Sequence, residues 1–317
     1  MRVSVGAGVL LSSILAASAT AAENASVVEI WVRQPGTVGG AEARGPVKRL
    51  DVDSLALETQ RHADAQYGGS NFYRGIPLAE VIAAGTPPAT ADVALLHFAN
   101  GMTVPLPFRD ERVMTQLDPF LARAMSPRPD ALLKPGVFPP LAGVPLGSEV
   151  AVPARNRVVV NEPWHPDGTE RPSSNFSPWA YVDTLIGIEL VDGMAYDAQL
   201  EVPGPSAVRA GGRLFHQICQ FCHAARGVGG SLGWDFIEPD PIYSDAWFRH
   251  FRSIRDDESG YRDPATSIYA HARFRVPGSA GRLMPALGSL TPDDARSLWR
   301  WIRAFAARPT PPYAPRR

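Results

Sequence analysis

Only two cysteines occur among the 317 residues, and they sit three positions apart in Cys219-Gln220-Phe221-Cys222-His223. A C-x-x-C pair followed at once by His is the attachment pattern of a c-type haem. Two thiols at this spacing can add to the two vinyl groups of one porphyrin, and the adjacent imidazole is then placed to ligate the iron. The competing readings are a disulfide, a thioredoxin-like redox pair and half of a zinc site. Zinc lacks its second pair of cysteines. A redox pair of the thioredoxin kind follows a strand, whereas Val208, Leu214, Phe215 and Ile218 recur at roughly helical intervals before Cys219. The spacing therefore predicts that the motif closes an amphipathic helix.

A haem iron held by His223 either keeps an open site or, in a six-coordinate electron carrier, takes a second protein ligand on its other side. Met284, followed by Pro285, is the single methionine after Cys222. A thioether opposite imidazole favours the reduced iron and raises the potential, and a proline beside it suits delivery from a loop. His250 and His271 are the competing ligands, and core filling by Met284 is the structural alternative. Thr291-Pro292-Asp293-Asp294 then predicts a helix start, with Thr as N-cap, Pro at the first helical position and acids in the first turn. Leu298, Trp299, Ile302 and Phe305 form its apolar stripe, expected to pack on the helix before Cys219, and Pro309 follows its end. A third helix is expected near Ser244, carrying Ala246, Trp247, Phe248 and Phe251. Arg226 to Gly233 reads as a glycine-rich loop rather than an element.

With these features together, residues 205–308 resemble a class I cytochrome c domain. The resemblance rests on the helix into Cys219-Gln220-Phe221-Cys222-His223, the Arg226 to Gly230 stretch, Met284-Pro285, and the Thr-Pro-Asp-Asp opening of a last helix containing Trp301 and Phe305. It implies an all-helical haem pocket with His223 and Met284 as axial iron ligands. It covers about a third of the chain and names no redox partner.

At the other end, Arg2, an apolar stretch through Leu15 and Ala19-Thr20-Ala21 read as a signal peptide over residues 1–21, which predicts a periplasmic location. The apolar run is too short to span roughly 30 Å of hydrocarbon, so no integral membrane segment is expected. Lys plus Arg number 31 against 32 Asp plus Glu, which speaks against a nucleic-acid partner.

Residues 22–200 read as a mixed, mostly β domain. Val27 to Val32 and Leu185 to Val191 predict strands, and Val93 to Leu106 predicts two strands about Asn100-Gly101. Gly75 to Gly85 predicts a short helix, and Pro127 to Pro145 an extended surface segment. His62, His97 and His165 are scattered without metal-ligand spacing and read as surface or satisfied core residues. Asp51 and Asp53 read as solvated acids, and Trp164 and Trp179 as core or a partner contact. Tyr73-Arg74-Gly75-Ile76-Pro77-Leu78, the Asn100-Gly101 turn and Ile186 to Asp192 resemble the molybdopterin-binding domain of sulfite-oxidase-type enzymes. In that family a cysteine ligates molybdenum, and this region has none.

The expected architecture is multi-domain: a mixed α+β, mostly β, N-terminal domain over 22–200, an all-α cytochrome c domain over 201–308, and a Pro-rich tail over 309–317. The expected function is single-electron transfer by one covalent haem c, as a carrier or subunit between a donor dehydrogenase and an acceptor, with no catalytic residues assigned. The alternative is an oxidoreductase whose N-terminal domain binds a substrate or molybdopterin-type cofactor and passes electrons to the haem.

Overall fold

Apolar residues in Val27–Val32 (β1) bury one face and part of the other, because this strand ends up inside a sheet. The computed structural model describes residues 27–38, 43–63, 70–126, 156–161, 178–180, 182, 184–233, 235–237 and 290–316. β1 lies between Lys48–Asp51 (β2) and a strand from much later in the chain, Leu185–Val191 (β9). It runs parallel to β9 with Ile30 opposite Ile188, and antiparallel to β2. The sheet continues through Val93–Phe98 (β5) to Thr103–Leu106 (β6) at its edge. Its central strand β9 is buried almost throughout, as a strand flanked on both sides must be.

A second, antiparallel sheet has the order β3-β4-β7-β8, with β3 Glu58–Ala63, β4 Ser70–Pro77, β7 Phe120–Ser126 and β8 Arg157–Val159. The β4–β7 register shifts at Arg74/Gly75. A Cβ on Gly75 would lie 2.8 Å from the Phe120 ring and would strike the Leu121 carbonyl, so glycine permits this bulge. Pro77 ends β4 and serves as N-cap of Leu78–Ala84 (α1), so the predicted helix begins three residues later than Gly75. Glu111–Leu117 (α2) is capped by Asp110, and Gly193–Leu200 (α3) by Asp192.

The C-terminal part departs from the expected all-α domain. Ser206–Leu214 (α4) passes into a π-helical turn, Phe215–Cys219, in which the Gln220 N–H donates to the Phe215 carbonyl at 2.9 Å. Ala224–Ala225 (β10) then pairs antiparallel with Val228–Gly229 (β11). Arg226 and Gly227 both adopt left-handed backbone, φ 51° and 74°, the conformation a two-residue hairpin turn requires. The segment read as a shapeless loop is therefore a hairpin. Buried side chains of this part, among them Phe215, Phe221, Val228, Leu298 and Trp301, belong to the same core cluster as Val28, Ile30, Leu96 and Ile188 of the first sheet. The described residues form a mixed α/β structure, about 30% strand, with no clear all-α C-terminal domain. The physical reason is local and tertiary at once: the chain after the motif pairs with itself as a hairpin at Ala224–Gly229, and its buried side chains share one core cluster with the first sheet.

Pro292–Ala306 (α5) carries the predicted start in full: Thr291 and Asp294 form a reciprocal capping box with Pro at the first turn. α5 crosses α4 at Gly211, where a Cβ would lie 2.5 Å from the Ser297 carbonyl carbon and 2.8 Å from Trp301 Cβ. Trp301, rather than Trp299, is the fully buried tryptophan of the stripe. Its indole donates to the Leu200 carbonyl at 3.3 Å, joining α5 to the end of α3. The tail returns to the first sheet: the Asp192 N–H donates to the Tyr313 hydroxyl at 2.6 Å, and the Tyr313 N–H to the Thr37 carbonyl at 2.7 Å.

Candidate functional site

The π-helical turn matters because of where it delivers the chain. It adds one residue to the last helical turn, and Phe215, Ile218 and Cys219 all reach the interior. Cys219 and Cys222 are both free thiols, the first buried and the second half-buried. From here the backbone is pinned carbonyl by carbonyl. Cys219 accepts from the N–H groups of Cys222 and His223, Gln220 from Gly230, Cys222 from Gly233, and Ala224 from Phe236, all between 2.6 and 3.1 Å. The Phe221 carbonyl accepts from the Thr103 N–H of β6 at 2.9 Å, across from the first sheet. Buried backbone acceptors left without partners are costly, so these bonds hold the motif in one conformation.

His223 is fixed from two directions. Phe236 stacks on its imidazole with ring centroids 4.6 Å apart and planes 27° from parallel. The backbone of Gly233 abuts the ring so closely that a Cβ there would lie 2.5 Å from Nδ1 and 2.8 Å from Nε2. Behind Phe236 the aromatic contacts continue through Phe215 to Trp301 and Phe305. Arg226 ties the hairpin to the end of α5: its guanidinium donates to the Arg308 and Ala306 carbonyls and lies over the Phe305 ring. A cation at a helix C-terminus is favoured by the exposed carbonyls there.

Burial pushes the Cys219 thiol up to about 12, with the neighbouring Cys222 adding to the effect, and burial pushes Cys222 to about 12 as well. Both are protonated at neutral pH, the opposite of the depressed thiol that nucleophilic or dithiol redox chemistry calls for. Among the described residues, no three His, Cys, Asp or Glu side chains are grouped to hold a metal ion. Two thiols on one turn and one oriented imidazole are the residues that would hold a porphyrin, through thioether bonds and an iron ligand. Met284, His250, His271 and the helix expected near Ser244 lie outside the described residues, as do the signal segment, Pro127 to Pro145, Trp164 and His165.

A second polar assembly backs this motif. Glu189 on β9 receives Arg33 Nε at 2.6 Å and faces His97 Nε2 at 3.0 Å. Burial raises the Glu189 pKa, but hydrogen bonds from His97 and Arg33 and the attraction of both outweigh it and bring the value down to about 2. The ionised carboxylate only accepts, so His97 donates to it through Nε2, and its Nδ1 lies 3.1 Å from the Thr103 hydroxyl. Trp31 stacks on His97 at 5.1 Å, and Arg33 Nη1 reaches Gln199 Oε1 at 2.8 Å. His97 is therefore a satisfied, partly buried histidine one residue pair from the motif, since Thr103 also makes the bond to Phe221. His62 is buried, stacked on Phe120 with Nε2 3.0 Å from Gln60 Oε1. Asp51 caps a 3-10 turn, Asp53 pairs with buried Arg123, and Trp179 is part of the core.

Phe236, Thr103 and Glu189 escaped sequence reasoning, whereas Gly233 lay at the end of the glycine-rich loop it singled out. Only a C-x-x-C-H pattern advertises itself locally; the groups that hold it come from the following loop, Gly233 and Phe236, and from the backbone of remote Thr103. No helix among the described residues is long and apolar enough to cross a membrane. Compared with protein families, curated proteins and solved structures, the chain matches none.

Proposed function

We propose that this protein is an exported c-type cytochrome that carries one haem on Cys219 and Cys222 and passes single electrons between redox partner proteins. The observation that carries the reading is the Cys219 to His223 turn itself: two free thiols and an imidazole on one stretch of backbone whose carbonyls from Cys219 to Cys222 are engaged and whose histidine ring is oriented by Phe236 and Gly233. Haem c, when bound, would supply a one-electron iron centre. The chain holds the two thiols on one turn, orients His223 and surrounds Cys219 with apolar side chains that exclude water. Met284 is the proposed thioether ligand. The N-terminal sheets serve as the scaffold against which the motif is held, and the periplasm, reached through residues 1–21, is the proposed compartment.

The test is expression in a host that attaches c-type haem. Wild type is expected to retain haem through acid extraction and to give a pyridine spectrum of two thioether bonds. Cys219→Ala or Cys222→Ala should give a one-thioether spectrum, and Met284→Ala should lose the thioether-to-iron charge-transfer band. Wild-type protein that releases all its haem on extraction would refute the reading.

A further inference from the structure

The β5–β6 hairpin does more than connect two strands. Its tip is Asn100-Gly101, with Gly101 at φ 88°, closed by the Gly101 N–H donating to the Phe98 carbonyl at 2.9 Å and the Met102 N–H to Asn100 Oδ1 at 3.1 Å. The tip presses on the backbone just beyond the C-x-x-C-H motif. A Cβ at Gly101 would lie 2.8 Å from the Leu232 nitrogen and 3.0 Å from the Ser231 carbonyl carbon, with backbone on the far side rather than a yielding side chain. The Ser231 N–H donates to the Gly101 carbonyl at 2.7 Å. One residue further on, Gly233 is the residue that abuts the His223 imidazole, and its N–H donates to the Cys222 carbonyl at 2.6 Å. From the sheet to the imidazole the path is thus Gly101, Ser231-Leu232, Gly233, His223, every step a van der Waals contact, a covalent bond or a short hydrogen bond. Ser231 is exposed and Gly101, Leu232 and Gly233 are half-buried, so it is the short contacts and hydrogen bonds along the path that carry a displacement of the tip to the ring.

We propose that Gly101 is a positioning residue for His223: the hairpin tip of the N-terminal sheet, acting through Ser231 to Gly233, sets the orientation of the axial imidazole. The inference rests on the haem reading, and it gives the first sheet a role in tuning the redox centre. A parallel strut, the Thr103 N–H bond to the Phe221 carbonyl, holds the intervening turn at the same depth, so a shift at the tip rotates the 231–233 segment against a fixed motif.

The experiment compares full-length holoprotein of wild type, Gly101→Ala and Gly36→Ala. Gly36 also has left-handed backbone, φ 84°, but a Cβ there meets nothing within 4 Å. Both substitutions carry the same conformational strain; only the first pushes on the path to His223. Expected for Gly101→Ala are a shifted midpoint potential and displaced paramagnetically shifted resonances of the His223 ring, with Gly36→Ala keeping both at wild-type values despite a lower melting temperature. If Gly101→Ala leaves potential and ring resonances unchanged, or if Gly36→Ala moves them equally, the proposal is wrong. Should Gly101→Ala fail to fold, Asn100→Ala loosens the same tip by removing the acceptor for the Met102 N–H and is expected to move the same resonances; unchanged resonances would overturn the proposal. A wild type without covalent haem refutes the function reading alone, and the His223 ring shifts of the apoprotein then decide the positioning role by the same comparison.

Discussion

Glu189→Gln isolates the charge at the centre of the polar assembly behind the motif. The side chain is 4% exposed, and Arg33, which pairs with it at 2.6 Å, is 4% exposed as well. Its pKa falls from the ordinary 4.5 to about 2. At roughly 1.4 kcal/mol per pH unit, that drop corresponds to about 3 kcal/mol of native-state stability at neutral pH. The sign follows from a depressed carboxyl: the contribution is complete above pH 4.5 and is lost as pH falls toward 2, because the unfolded chain binds the proton first. Glutamine keeps the shape, and its amide can still meet one partner, but it leaves the Arg33 charge buried beside neutral acceptors, Gln199 Oε1 and the Val38 carbonyl. Removing one member of a buried pair costs on the order of 3–5 kcal/mol. Urea unfolding of wild type and Glu189→Gln should therefore differ by about 3 kcal/mol at pH 7, and the gap should narrow steadily between pH 4.5 and 2. A gap that stays constant across that range would show that Glu189 is not the ionised group described here.

Two further outcomes follow from the packing. Gly211→Ala gains about 1 kcal/mol of helix propensity but drives a methyl into Ser297 and Trp301; an overpacked crossing of this kind costs about 1–3 kcal/mol or more, so the net change in urea unfolding should be destabilising, and a stabilised variant would mean that α4 and α5 separate freely. In haem-free protein, the thiols of Cys219 and Cys222, both raised to about 12, should resist iodoacetamide at pH 8 until denaturant is added; alkylation of the folded chain at the rate of an unfolded control would contradict their burial.

Several elements were readable from local sequence because their causes are local. β1 and β9 occupy the residues where apolar runs predicted strands. Thr291-Pro292-Asp293-Asp294 specifies a helix start through groups within one turn of each other, and Asn100-Gly101 marks a turn because glycine takes φ 88° without strain. The reading of an all-α C-terminal domain failed where the signal was too short to carry a period: Ala224-Ala225 and Val228-Gly229 are two-residue strands around Arg226-Gly227. Helical spacing before Cys219 likewise did not reveal the π-helical turn, since one extra residue in a turn leaves the pattern of apolar positions nearly unchanged.

What the sequence by itself determined is the chemistry on offer: two thiols and an imidazole at one spacing, a single methionine beyond them, and caps and turns whose residues interact with their own neighbours. Only the tertiary structure decided what surrounds that chemistry. Glu189 meets His97 from 92 positions away, Thr103 of an edge strand bonds Phe221 between the two cysteines, and Gly101 leans on the loop that touches His223. Such pairings come from strands ordered β2-β1-β9-β5-β6, an arrangement set by how a whole core is buried at once, and no window of sequence records it.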